Sequence, residues 1–184
     1  MSEDDRRHWD GRYADGGMAP VGEHGPPPIF APFEHLFPTK GHALELACGR
    51  GRGAMWLATR GMHVWGVDVS PVAIDFAHEL TSLSGVADRC RFDVVDLDRG
   101  LPKGPPVDLL VCHLFRDQQL DQAMIERLAP GGLLAVAVHS EVGVGPGPFR
   151  ARPNELRDAF GELDVLTDGE AEGMAWVVAR RPIG

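Results

Sequence analysis

The chain has 184 residues with a net charge of −9, 43% of them hydrophobic and 24% charged. That is the length of one domain with a single core, and the ordinary composition excludes a disordered or fibrous protein. The acidic balance argues against a nucleic acid partner, which calls for a basic patch. No apolar run approaches membrane-spanning length, and Met1–Asp5 lacks the apolar stretch of a signal peptide. Three scattered cysteines, Cys48, Cys90 and Cys112, form neither a disulfide framework nor a zinc cluster. No metal site is expected, and a reducing cytoplasm is the simplest setting.

In chain order, Gly16–Pro28 is rich in Gly and Pro and reads as a loop. Ala43–Ala47 is apolar except for Glu45 and fits a strand covered on both faces. It runs into Gly49-Arg50-Gly51-Arg52-Gly53, whose glycines open torsions closed to other residues and offer bare main chain to a ligand. A helix follows through Arg60, its N-terminus turned toward that ligand. Met62–Val67 is a second strand ending at Asp68. Ser70 caps, and Pro71 opens, a helix reaching about Leu83. Arg91–Val95 is a third strand ending at Asp96, and Val107–Cys112 a fourth. Asp117–Leu128 has helical spacing, with Leu120, Met124, Ile125 and Leu128 on one side. Gly131-Gly132 turns into a fifth strand, Leu133–His139. Ser140–Pro153 is a Gly/Pro-rich loop where a lid would lie, and Asn154–Phe160 is a short helix. Leu163–Thr167 and Met174–Ala179 are two last strands, joined by the polar turn Asp168–Gly173 and hence antiparallel.

The alternation defines an α/β fold: a doubly wound, mostly parallel seven-stranded sheet with an antiparallel strand near its C-terminal edge. Ligands bind such sheets beyond the carboxyl ends of the strands. Asp68, 17 residues after Gly51, is placed to accept the hydroxyls of a ribose, and Asp96 to meet an adenine edge. Gly49–Ala54 fits the dinucleotide fingerprint G-x-G-x-x-A, so a nicotinamide-dependent oxidoreductase is one reading. Glu45, however, would repel a pyrophosphate and suits a cationic group such as an amino group.

The motifs Glu45–Gly51, Gly66–Ser70, Val94–Leu97, Val107–Val111 and Leu128–Leu134, in this order, resemble those of the class I S-adenosylmethionine-dependent methyltransferases. The resemblance runs from about Ala43 to Arg180. It implies S-adenosylmethionine as cofactor and S-adenosylhomocysteine as product. It also implies that Gly49 and Gly51 cradle the methionine half, that Asp68 binds the ribose and Asp96 the adenine, and that Val69 and Leu97 pack on the adenine. The family often has Gly where this chain has Ala47, a departure that tightens the turn. Trp9–Tyr13 with Gly49–Gly53 and Trp56–Ala58 is similar to the small tellurite-resistance and thiopurine methyltransferase branch, in which an N-terminal segment folds over the cofactor. Trp9 and Tyr13 then join the cofactor side, within a cover of residues 1–39 on a core of residues 40–184, all one domain. A non-catalytic module that binds the cofactor is the other reading.

The fourth strand ends Cys112-His113-Leu114-Phe115-Arg116, a position that faces the transferable methyl in this fold. It matches neither the Asn-Pro-Pro-Tyr pattern of exocyclic-amine methyltransferases nor the Pro-Cys of cytosine-C5 enzymes. His113 is the candidate base, because an imidazole titrates near neutrality, and also a cofactor neighbour. His139, Arg116 and Arg150 are acceptor-side candidates, the arginines for an anionic group. With no inserted domain, the expected acceptor is a small molecule with an O, S or metalloid nucleophile, taken by a monomer or homodimer.

Overall fold

The computed structural model describes residues 3–17, 25–147 and 150–184. The loop expected over Gly16–Pro28 therefore lies in part outside the described residues. Seven strands are hydrogen-bonded in the order β3-β2-β1-β4-β5-β7-β6, the doubly wound arrangement expected. By proximity the residues group into two compact units, Met1–Pro102 and Lys103–Gly184.

The first unit holds α1 (Glu3–Gly16), β1 (His42–Leu46), α2 (Arg52–Thr59), β2 (His63–Asp68), α3 (Pro71–Leu83) and β3 (Cys90–Val94). Its strands are parallel, with Leu44 opposite Trp65 and Asp68 opposite Val94. The α3 start is as read: Ser70 Oγ accepts the Ala73 N–H at 3.1 Å, and Pro71 occupies the first helical position. Leu44, Leu46, Met55, Leu57, Val67 and Leu80 are buried between sheet and helices. Trp65 is half-buried, with Arg91 stacked 4.4 Å from its ring and Asp93 accepting its indole N–H at 2.7 Å.

The second unit holds β4 (Val107–His113), α4 (Asp121–Arg127), β5 (Leu128–His139), α5 (Glu155–Ala159), β6 (Asp164–Ala171) and β7 (Met174–Arg180). β4 and β5 are parallel, and β7 lies antiparallel to both β5 and β6. Three boundaries differ from the sequence reading, each for a local reason. Asp117 accepts the Gln119 N–H at 2.9 Å and so opens a 3₁₀ turn, which postpones α4 to Asp121. β5 begins at Leu128, because Leu128 already pairs with Val107 before a bulge carries the register to Leu109 and Leu133. Gly132 occupies that bulge, where a β-carbon would lie 2.9 Å from the carbonyls of Val107 and Ala129. The final hairpin is tighter than expected: Ala171 pairs with Met174, leaving only Glu172 and Gly173 (φ 51° and 78°) to turn. Two successive positive φ angles match the twist of a hairpin, so the residues from Asp168 to Ala171 extend the strand.

Candidate functional site

The first unit gathers most of the expected cofactor residues around the loop between β1 and α2. Gly49 and Gly51 have φ of 52° and 76°, as the glycine-turn reading requires. Ala47 shares this left-handed region at φ 49°, which an alanine adopts only under strain. Gly51 is also demanded by packing, since a β-carbon there would sit 2.7 Å from that of Ala77 in α3. Gly53 has a different role from the one read in the sequence. It makes no left-handed turn; it clears room for Glu45, whose Oε1 would lie 2.1 Å from a β-carbon at this position.

Glu45 therefore reaches under the start of α2 and accepts the Ala54 N–H. Its side of the helix carries the positive end of the peptide dipoles, which favours a carboxylate. The second oxygen, Oε2, is buried and has no hydrogen-bond partner. Burial pushes the Glu45 carboxyl up to about 8; the Ala54 N–H opposes this and the nearby charge of Asp68 adds to it.

Asp68 ends β2 with 4% of its surface exposed. Its Oδ2 accepts the Gly49 N–H at 2.8 Å and its Oδ1 the Ser70 N–H at 3.0 Å. Burial raises its pKa, the three backbone N–H groups of Ser70, Gly49 and Val69 lower it, and the charge of Asp10 raises it again. Of the roughly four lone-pair sites of a carboxylate, three N–H groups take three, so the group that fixes the loop can still accept from a ligand at the remaining one.

α1 lies against this loop. Arg50 donates from Nη1 to the carbonyls of Gly16 (2.9 Å) and Gly17 (2.5 Å), at the last turn of the helix. The Ser70 hydroxyl donates to Asp10 Oδ1. Trp9 and Tyr13 stack at 5.9 Å, and the Tyr13 hydroxyl lies 3.1 Å from where a β-carbon on Gly49 would be. Burial, then the charge of Asp68, raises the Tyr13 phenol well above its ordinary value. The sequence reading overlooked Arg50, Asp10 and Ser70 as the ties of α1. A charged residue between two glycines carries no signal of which carbonyl it will reach.

The adenine-side candidates are more modest. Asp96 caps the 3₁₀ turn Leu97–Arg99 by accepting the Asp98 N–H at 3.1 Å, with Arg99 at 3.6 Å. Val69 and Leu97 are 6% and 1% exposed, so both are covered by protein in this conformation.

The second unit carries the acceptor-side candidates. His113 is half-buried; burial, then the adjacent His139, pushes its imidazole down to about 4. It is neutral throughout the physiological range, not poised at neutrality as its residue type suggested. His139 is exposed at the end of β5. Arg116 departs from its expected role. Its Nη1 and Nη2 hold Asp121 at 2.5 and 2.8 Å, and its Nε holds Glu155 at 2.8 Å. With both carboxylates engaged, it is an internal strut and not an anion receptor. Arg150 donates to the Ser140 carbonyl at 2.9 Å and so fastens the loop it belongs to. Ser140 is fully buried, donating to the Gly173 carbonyl at 2.7 Å, and Gly173 donates to Val142 at 2.9 Å. The described part of the expected lid is thus stitched to the β6–β7 turn. Among the described residues no group of three or more His, Cys, Asp or Glu could hold a metal, and no helix is long and apolar enough to cross a membrane.

An acid buried under a glycine loop and a second at the tip of β2 thus stand together in the first unit, and the sheet is doubly wound with an antiparallel β7. Residues 43–132 match the methyltransferase domain family. The match covers just under half of the chain and takes in the glycine loop, Asp68 and Asp96, as the resemblance to the class I S-adenosylmethionine-dependent methyltransferases implies. The chain is 32% identical over 113 residues to the methyltransferase GfsG of Streptomyces halstedii, covering 57% of this chain and 40% of that protein. It is 28% identical over 144 residues to the ribosomal RNA small subunit methyltransferase C of Alcanivorax borkumensis, covering 73% and 41%. The chain therefore spans less than half the length of these two relatives. Its fold resembles the crystal structure of TehB from Haemophilus influenzae, with a TM-score of 0.74 and 17% identity over 96% of this chain and 66% of that one.

Proposed function

We propose that this protein transfers a methyl group from S-adenosylmethionine to a small molecule through an oxygen, sulfur or metalloid nucleophile. The observation that carries the reading is the pair of buried acids at the glycine loop. Glu45 Oε2 is buried without a partner, and a ligand ammonium group beside it would supply the missing donor and favour the ionised carboxylate, which a pyrophosphate could not do. In this reading Gly49 and the loop backbone hold the methionine half, Asp68 accepts from the ribose, and Trp9 and Tyr13 close over the site from α1. Asp96 remains the candidate for the adenine edge.

When bound, S-adenosylmethionine supplies a methyl group on a sulfonium; its carbon–sulfur bond breaks as the acceptor atom takes the methyl, leaving S-adenosylhomocysteine. The chain's own part is alignment, exclusion of water and, at His113, a neutral imidazole nitrogen that takes the acceptor's proton. His139 stands beside it on the acceptor side. We take residues 1–184 as one domain in which α1 covers the glycine loop, acting as a monomer or homodimer. The free thiols of Cys48, Cys90 and Cys112 fit a cytoplasmic setting.

A ribosomal RNA acceptor is the second reading, favoured by the name of the Alcanivorax relative. The net charge of −9 opposes it. Calorimetry with S-adenosylhomocysteine, followed by product release with organic thiols and phenols, with tellurite and with ribosomal RNA, separates the possibilities. Binding with turnover on a small molecule is expected. Binding with no product from any acceptor would leave a non-catalytic module, and turnover on RNA alone would establish the second reading.

A further inference from the structure

His42 opens β1 and His63 opens β2, and the two are register partners in a parallel pair. The His63 N–H donates to the Gly41 carbonyl at 2.9 Å, which fixes the register at this point. Partners in register project to one face of a sheet, so the two imidazoles stand side by side. Their ring centres are 5.5 Å apart, the ring planes are inclined by 30°, and both residues are exposed.

Imidazole nitrogen is a ligand for late first-row divalent cations, at about 2.0–2.1 Å for Zn2+. An ion at that distance from one nitrogen of each ring, with a tetrahedral angle between the two bonds, sets the ring centres about 5 Å apart. A small side-chain rotation supplies the difference from the observed spacing. The pair is carried by two strands hydrogen-bonded to each other, so chelation costs little ordering. Among the described residues no third His, Cys, Asp or Glu joins it, and the remaining coordination positions fall to water. Without a carboxylate oxygen the pair offers little to Mg2+ or Ca2+.

We infer that His42 and His63 form a two-imidazole site for a borderline divalent cation, Zn2+ or Cu2+, at the N-terminal ends of β1 and β2. The site lies apart from the glycine loop. β1 has 5 residues and β2 has 6, so at about 3.3 Å per residue the pair stands roughly 13–17 Å from Leu46 and Asp68, where the strands end. The bound ion ties β1 to β2 and takes no part in methyl transfer, so the inference does not rest on that reading.

The test titrates ZnCl2 into the tag-free full chain by calorimetry, with MgCl2 for comparison. The variants are His42→Gln, His63→Gln, the two combined, and His35→Gln, which is exposed and outside the pair. The wild type and His35→Gln are expected to bind Zn2+ equally. Either single variant of the pair should bind it about 100-fold more weakly, because the second imidazole no longer closes the chelate. Zn2+ at about 100 times its Kd should raise the wild-type melting temperature by about 5 °C or more and leave the double variant unmoved. Cu2+ spin-resonance spectra should show coupling to two imidazole nitrogens in the wild type and to one in each single variant. All the substitutions are at exposed positions, so without metal every protein should melt at the same temperature. Equal Zn2+ affinity in the wild type and the double variant, equal binding of Zn2+ and Mg2+, or no Zn2+ binding by the wild type would each overturn the site.

Discussion

Glu45 can lie beneath the start of α2 only because residue 53 is glycine: a β-carbon there would come within 2.1 Å of Glu45 Oε1. The pair places a carboxylate where one oxygen meets the Ala54 N–H and the other meets nothing. The consequence is a pH-dependent stability. Burial raises the Glu45 carboxyl from an ordinary 4.5 to about 8, so between these values the folded protein retains a proton that the unfolded chain has lost. This contribution is fully present below pH about 4.5, falls as pH rises to about 8 and is level beyond. Glu45→Gln should flatten that decline in urea denaturation measured from pH 5 to pH 8.5. A variant as steep as the wild type would place the charge elsewhere.

Asp68→Ala should weaken S-adenosylhomocysteine binding by roughly 1–3 kcal/mol, because hydroxyls desolvated on binding would lose their acceptor. The same change strips the Gly49 and Ser70 N–H groups of their partner, so a lower melting temperature is expected as well. Asp68→Asn keeps an acceptor oxygen and should fall between. Isothermal titration on the folded fraction decides; equal affinities for the three proteins would remove Asp68 from the ribose role.

His113→Ala should slow methyl transfer by a factor of about 100 or more while leaving cofactor affinity alone, as removal of a general base does. Since the imidazole sits near 4, the wild-type rate should show no His113 limb between pH 6 and 7. A rate equal to wild type, with saturating acceptor, ends its candidacy.

Ala47 offers a stability gain. At φ 49° it carries backbone strain that glycine relieves. Relief of ~1–2 kcal/mol exceeds the ~0.4–1 kcal/mol by which glycine loosens the unfolded chain. Ala47→Gly should therefore raise the denaturant midpoint slightly, without weakening S-adenosylhomocysteine binding.

Arg116→Ala should cost about 3–5 kcal/mol, because it abandons two carboxylates whose side chains are only 17% and 12% exposed. Arg116→Met with Asp121→Asn and Glu155→Gln removes the stranded charges and should recover much of the loss. Chemical denaturation of both variants makes the comparison.

The strand and helix order was legible because burial and turn chemistry are written locally. Alternation placed every strand, and Ser70-Pro71 marked the start of α3 to the residue. The glycine loop and Asp68 were visible for the same reason: glycine spacing and an acid at a strand tip are one-dimensional signals. The remainder depends on partners distant in sequence. Nothing near Gly53 says that it must clear room for Glu45, eight residues earlier. Nothing near Arg116 announces Glu155, 39 residues later, which converts an apparent anion receptor into a strut. The neutrality of His113 follows from its burial, which a residue type cannot convey.

Arg50 stands between the two glycines of the turn and grips the last carbonyls of the first helix. Anything that presses on that turn must therefore tug on the helix as well. Occupancy should be audible from the far side of this lever, as slower amide exchange along residues 3–16 when S-adenosylhomocysteine is added and as its loss in Arg50→Ala.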